Sequence, residues 1–191
     1  MERHVLFICV RNRVRSVYAE FYLRKQLDES IDRPTDNIKI SSAGLNPKVL
    51  KKFLDEAGIS PPEPFFHTDM SAIVRERLRA KDIHVPDLWR SKPLTSEMVR
   101  AADLIVTALT WQKDEIERAY APFCGNIFTF KELAEWDDTV LFETLSGLPM
   151  DSSFWDYCEE DRIYVTKVIN EVENLMDLGF PNMLRQLGIK W

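Results

Sequence analysis

The sequence predicts an α/β protein, a doubly wound sheet of four parallel strands with helices on both faces. Three observations carry this. His4 to Cys9 is a continuous apolar run rich in β-branched and aromatic residues, the pattern of a strand buried on both faces. Strand-like and helix-like segments alternate along the 191 residues, the order of a parallel sheet. No linker is long enough to separate two domains, so residues 1–191 are expected to form one unit. Ligands of such a sheet sit at the carboxyl ends of its strands.

The elements follow in order. From Ser16 to Asp28 the apolar positions Val17, Tyr18, Phe21, Tyr22 and Leu27 approximate helical spacing, with Ser16 placed to cap the first turn. Ile38 to Ser42 reads as the second strand and ends in Ala43-Gly44, where glycine permits a sharp turn. Asn46 to Met70 is the least regular stretch. A short helical pattern (Val49, Leu50, Phe53, Leu54, Ala57) gives way to the breaker-rich GISPPEPFFHTD, which reads as a surface excursion. Ser71 to Ala80 returns to helical spacing, and LTSEMVRAA from Leu94 carries an N-cap candidate at Thr95. Asp103 to Leu109 is the third strand, Trp111 to Tyr120 a helix and Asn126 to Phe130 the fourth strand. Glu159 to Met176 is a long amphipathic helix through Ile163, Val165, Val168, Ile169, Val172 and Leu175.

Composition narrows the function. Apolar residues make up 45% of the chain, enough for a packed core, and the net charge of −6 disfavours nucleic acid and anionic membrane as partners. The three cysteines, Cys9, Cys124 and Cys158, give neither a disulfide framework nor zinc-ligand spacing, which points to a reducing cytoplasm. His4, His67 and His84 share no ligand spacing, so neither a metal nor a cofactor is expected. No apolar run reaches the roughly 18 residues of a membrane span, and MERH runs into VLFICV without a signal-peptide pattern.

Chemistry concentrates at the end of the first strand, in Cys9, Val10, Arg11, Asn12, Arg13, Val14, Arg15 and Ser16. Five residues between a cysteine and an arginine can wrap a loop whose backbone N–H groups converge on one tetrahedral anion, helped by the amides and dipole of the following helix. Arg15 would offer a planar fork to two phosphoryl oxygens. Cys9 would lie beneath the same anion hole, whose field favours a thiolate nucleophile. The alternative at this point is a small buried cysteine ending a strand, followed by solvated arginines at 11, 13 and 15.

HVLFIC, the loop with Asn12, Arg15 and Ser16, and the helix with Ala19-Glu20 resemble the opening of the low-molecular-weight protein tyrosine phosphatases. Ser42-Ala43-Gly44, RSKPLT at Arg90 to Thr95 and ADLIVTAL at Ala102 to Leu109 follow in that family's order. The resemblance covers most of the chain to about Asp177, apart from an apparent insertion within residues 47–60 and an extension over residues 180–191. It implies the phosphotyrosine phosphatase I fold and a cofactor-independent phosphomonoesterase acting through a phosphocysteine, with a phosphotyrosine protein or a small phosphomonoester as substrate. It makes Cys9 the nucleophile and Arg15 the clamp. Val10, Arg11, Asn12, Arg13, Val14 and Ser16 become the phosphate-binding loop, and Ser42 a support for it. The family's general acid, an Asp in a late Asp-Pro pair, falls on Asp151 in LPMDSSFWD, thirteen residues before Tyr164, with Asp156 as competitor.

The chain departs from the family pattern at Arg11 (usually Gly), Val14 (usually Cys), Val17 (usually Pro), Trp89 (often His) and Ser152 (usually Pro). Arg11 and Arg13 would add cationic charge at the rim. Arg11 and Ser152 therefore keep open a non-catalytic phosphate or phosphopeptide binding module. Arsenate reduction on the same scaffold is a further alternative, but Cys124 and Cys158 do not stand where that class carries its resolving pair. Cys124, Cys158, Trp136, Phe154 and Trp155 otherwise read as packing residues, although Phe154 and Trp155 lie beside the proposed acid.

Overall fold

A computed structural model describes residues 2–30, 37–46, 64–121, 126–135 and 162–189. Its elements are β1 (Arg3–Cys9), α1 (Arg15–Glu29), β2 (Ile38–Gly44), α2 (Ala72–Ala80), α3 (Ser96–Ala101), β3 (Leu104–Thr107), α4 (Thr110–Tyr120), β4 (Asn126–Thr129), α5 (Phe130–Leu133) and α6 (Arg162–Gln186). The strands pair in the order β2-β1-β3-β4, all parallel. The chain leaves β1 for one neighbour and later crosses to the other. The carboxyl end of β1 is therefore the topological switch point, where ligands of open α/β sheets bind.

Alternation along β1 separates two cores. Val5, Phe7 and Cys9 join Ile40, Leu104 and Val106 beneath α1, α2, α5 and α6, while Leu6 and Ile8 join Ala43, Ile105 and Ile127 beneath α3 and α4. The doubly wound four-stranded sheet with helices on both faces is thus the observed architecture. Polar ties hold α6 along α1: Tyr18 donates to Glu173, and Tyr22 Oη donates to Asp177 Oδ1 at 2.9 Å. Burial and the adjacent carboxylates push both phenols far above their ordinary range, so each stays a donor.

Several local expectations give way to tertiary packing. Helix α1 starts at Arg15 with Val14 at the cap position and no side-chain capping bond, because the Ser16 hydroxyl is engaged elsewhere. Gly44 has no positive φ. A Cβ built on it would fall 2.7 Å from Val10 O and 2.9 Å from Phe66 Cζ, a collision with both. Phe65, Phe66 and Met70, placed by the sequence in a surface excursion, are buried in the core at 8%, 6% and 2% exposure; residues 47–63 lie outside the described set. Strand β4 ends at Thr129, not Phe130, because Thr129 and Glu132 form a reciprocal capping box that opens α5.

Helix α6 runs to Gln186 rather than stopping at Met176. Pro181 costs it a backbone bond, about 3 kcal/mol in a helix interior. Phe180, Met183 and Leu184 are nevertheless buried, and such side chains each contribute about 1.5–3 kcal/mol. Gly179 does not end the helix: a Cβ there would meet Leu133 Cβ at 3.2 Å, so its role is close approach to α5. Residues 180–187, assigned to an extension, therefore belong partly to the core. Among the described residues no helix is long and apolar enough to cross a membrane.

Candidate active site

The segment Val10–Val14 joins the buried β1 to α1 at the switch point. Its carbonyls are tied outward: Leu45 N donates to Cys9 O at 2.9 Å and Val10 O at 3.1 Å, Ser71 N to Arg13 O at 3.1 Å, and Tyr18 N to Val14 O at 3.0 Å. Asn12 is fully buried with φ 58°, a left-handed conformation that asparagine tolerates better than most residues. Its Nδ2 donates to Ser16 Oγ at 3.0 Å and Ser42 Oγ at 2.7 Å, and its Oδ1 accepts from Lys92 N at 3.3 Å.

These bonds connect the cysteine to a buried carboxylate. Cys9, 4% exposed, holds Sγ at 3.0 Å from Ser16 Oγ. Asn12 links Ser16 to Ser42, and Ser42 Oγ donates to Glu20 Oε2 at 2.5 Å. Glu20 is 5% exposed and is neutralised by Arg24 Nη2 at 2.7 Å. A buried charge of this kind is tolerable only when paired and hydrogen-bonded, and both conditions are met.

Arg15 opens α1. Its Nη2 donates to Tyr164 Oη on α6 at 3.0 Å, while its Nε is buried without a hydrogen bond among the described residues. A buried donor without a partner at a helix N-terminus is the arrangement an anion completes. Glu171, on the same helix as Tyr164, feels both Arg15 and Lys131, yet burial raises its carboxyl above the ordinary range.

The structure thus joins Cys9, Asn12, Ser16 and Ser42 by hydrogen bonds, while the Arg15 side chain, one residue before Ser16, reaches Tyr164. Val10 and Val14 are partly buried members of the loop. Arg11 departs from expectation: it is no rim charge but is 4% exposed, with its guanidinium 5.3 Å from the centre of the Phe65 ring. Arg13 Nε donates to Asp69 O at 2.7 Å. Asp151, Asp156, Ser152, Phe154, Trp155, Trp136, Cys124 and Cys158 lie outside the described residues. Sequence reasoning missed the roles of Glu20 and Tyr164. The one available signal was a glutamate four residues after Ser16, on the buried face of α1. Among the described residues no cluster of His, Cys, Asp or Glu could hold a metal ion.

The Asn12 network is testable. Asn12→Ala removes three hydrogen bonds from a buried site and leaves a Cβ residue in left-handed backbone, so thermal or urea unfolding should show a loss of about 2–4 kcal/mol. Asn12→Gly should recover about 1 kcal/mol of that, the backbone share. A loss within about 0.5 kcal/mol of wild type, the range of featureless surface changes, would mean that Asn12 does not hold the loop.

Comparison with known proteins bears on this geometry. The family model for low molecular weight phosphotyrosine protein phosphatase matches residues 4–142. The low molecular weight protein tyrosine phosphatase of T. tengcongensis is 24% identical over 95% of this chain and 99% of its own, with TM-score 0.59. The YwlE arginine phosphatase from Geobacillus stearothermophilus is 19% identical, covering 99% of this chain and 98% of its own, with TM-score 0.61. A mutant YwlE arginine phosphatase with a phosphorylated active-site serine is 19% identical over 95% of each chain, with TM-score 0.63. No curated protein matches the chain by sequence. The solved structures share the fold, and the family model spans the sheet and the loop at its switch point: the chain belongs to the low molecular weight phosphotyrosine protein phosphatase family.

Proposed function

We propose that this phosphatase hydrolyses phosphotyrosine on proteins through a phosphocysteine formed on Cys9. The observation that carries the reading is the pairing of Cys9 Sγ with Ser16 Oγ at 3.0 Å, one residue after Arg15, whose buried Nε makes no hydrogen bond among the described residues. In the first step the Cys9 thiolate attacks phosphorus in line, the phosphorus–oxygen bond breaks, and the Asp151 carboxyl gives its proton to the departing phenolic oxygen. Arg15 and the amides of Val10 to Ser16 carry the charge of the equatorial oxygens. In the second step water attacks phosphorus and gives a proton to the Asp151 carboxylate. The phosphorus–sulfur bond breaks, and Ser16 Oγ stabilises the departing thiolate. The phosphorylated active-site serine of the YwlE mutant, a protein of the same fold, supports a covalent route.

The arginine phosphatases among the structural neighbours raise a second substrate, phosphoarginine. The burial of Arg11 over Phe65 removes one ground for a non-catalytic binding module.

Turnover of p-nitrophenyl phosphate, a phosphotyrosyl peptide and phosphoarginine tests the proposal, with the phosphotyrosyl peptide expected to exceed phosphoarginine. Asp151→Asn should lower kcat on that peptide by roughly 10²- to 10⁴-fold, the usual worth of a general acid. The loss on p-nitrophenyl phosphate should be smaller, because its leaving group needs less protonation. Asp156→Asn should stay within a few-fold of wild type, and the reverse result makes Asp156 the acid. Phosphate binding without any turnover by wild type would establish the binding module instead.

A further inference from the structure

We propose that Arg11, stacked on Phe65, is a positioning residue for the reaction: it braces the phosphate loop against residues 65–71 and so holds the loop amides ready for the transition state. The inference rests on the phosphatase reading of the loop and adds to it a residue that acts through those amides.

The Arg11 backbone is not left-handed, so a side chain is carried there without strain. A guanidinium is seldom buried unless something holds it. Arg11 is 4% exposed, and its Cζ lies 5.3 Å from the centre of the Phe65 ring, inside the roughly 6 Å over which the negative face of a ring attracts a cation. The ring is itself fixed. Phe65 is buried and meets Phe66 edge-on, with 4.9 Å between ring centres. Phe66 in turn fills the space that Gly44 leaves open beside Val10 O.

The same segment grips the loop further along. Ser71 N donates to Arg13 O at 3.1 Å, and Arg13 Nε donates to Asp69 O at 2.7 Å. On the other side, Leu45 N donates to Cys9 O and Val10 O, and Lys92 N to Asn12 Oδ1. Hydrogen bonds thus tie Cys9, Val10, Asn12 and Arg13, and the stack on Phe65 supplies a tie at Arg11 between them. Its consequence is catalytic as well as structural. The carbonyls of Cys9, Val10 and Arg13 are turned outward to these partners, which leaves the loop amides to face an anion. Looseness at Arg11 spreads those donors. A tetrahedral anion in the ground state tolerates such spreading better than a trigonal bipyramid, whose equatorial oxygens need every donor at once.

Two single variants and their combination test this. Arg11→Met keeps much of the stem and loses the cation, while Phe65→Leu loses the ring and leaves the loop sequence intact. Each should lower kcat/KM for p-nitrophenyl phosphate about five- to thirtyfold, the range of a buried cation–ring contact. Vanadate, which copies the bipyramid, should bind more weakly by a similar factor, and inorganic phosphate by no more than about twofold. The double variant should be no worse than the poorer single, because both changes remove one contact. Arg11→Lys and Phe65→Tyr, which keep the cation and the ring face, should each recover most of the loss.

Effects of Arg11→Met and Phe65→Leu that simply multiply overturn the proposal. Equal weakening of phosphate and vanadate does so too, since it makes Arg11 a ligand of the anion. A lowered unfolding temperature with kcat/KM and vanadate affinity unchanged also overturns it, because the contact is then structural only. If Arg11→Met does not fold, Phe65→Leu against Phe65→Tyr carries the same comparison. If wild type fails to hydrolyse p-nitrophenyl phosphate, the phosphatase reading is what fails. The ratio of vanadate to phosphate affinity then decides the brace, and a ratio equal in wild type and Phe65→Leu overturns it.

Discussion

Cys9→Ser is expected to stop turnover of p-nitrophenyl phosphate, with a loss of roughly 10⁴-fold or more, the scale on which removal of a nucleophile is felt. The substituted oxygen fills nearly the same space in a site only 4% exposed, so the fold and the loop should survive. What changes is the chemistry. A hydroxyl near its ordinary pKa offers almost no anion to attack phosphorus, and the Ser16 hydroxyl at this site is itself neutral and supplies no base. A phosphoryl group that does transfer is held through oxygen, a far poorer leaving group than sulfur, so the second step should fail more completely than the first. The variant should therefore bind inorganic phosphate or vanadate as wild type does, shed no product steadily, and show by mass spectrometry a slowly formed phosphoryl adduct on the substituted residue. Turnover within tenfold of wild type would exclude a phosphocysteine route. Loss of vanadate binding together with a lower unfolding temperature would mean that Cys9 matters to packing rather than to the reaction.

How much of this was legible in the sequence depends on the distance between partners. The run from His4 to Cys9 announced a strand buried on both faces, and β1 has that burial because it lies inside the sheet between β2 and β3. The cysteine, the arginine and the strand-to-helix junction between them are local, so the loop could be read in advance. The Ser16 hydroxyl was misjudged as a cap because a cap is also a local pattern. Its partners, Cys9 and Asn12, become neighbours only when the loop closes. Arg11 shows the same limit, since nothing near it in the chain announces that Phe65 will lie beneath its guanidinium. Gly179 and Pro181 punctuate a helix by local rules, yet buried Phe180, Met183 and Leu184 carry α6 past both. Glu20 was visible only as a charge on an apolar face. Its two partners, Ser42 on the next strand and Arg24 one turn on, turn that anomaly into a support for the loop.

Arg15→Lys is expected to lower kcat/KM by about 10³-fold although the charge is kept, a loss of about 4 kcal/mol in transition-state stabilisation. The reason is the geometry of the fork. Tyr164 Oη holds one terminal nitrogen at 3.0 Å, which fixes the plane of the guanidinium, and among the described residues the buried Nε has no partner. Lysine has one nitrogen to divide between Tyr164 and the anion and no plane for the tyrosine to fix. Most of the loss should fall on kcat, because two parallel donors matter most when the equatorial oxygens spread in the transition state. Tyr164→Phe separates orientation from charge. It keeps the guanidinium and deletes its anchor, and should cost only about three- to tenfold, the worth of one hydrogen bond to a charged group. If Arg15→Lys retains activity within tenfold of wild type, Arg15 is not the clamp. If Tyr164→Phe is as damaging as Arg15→Lys, the tyrosine hydroxyl takes part in the reaction itself, beyond orienting its neighbour.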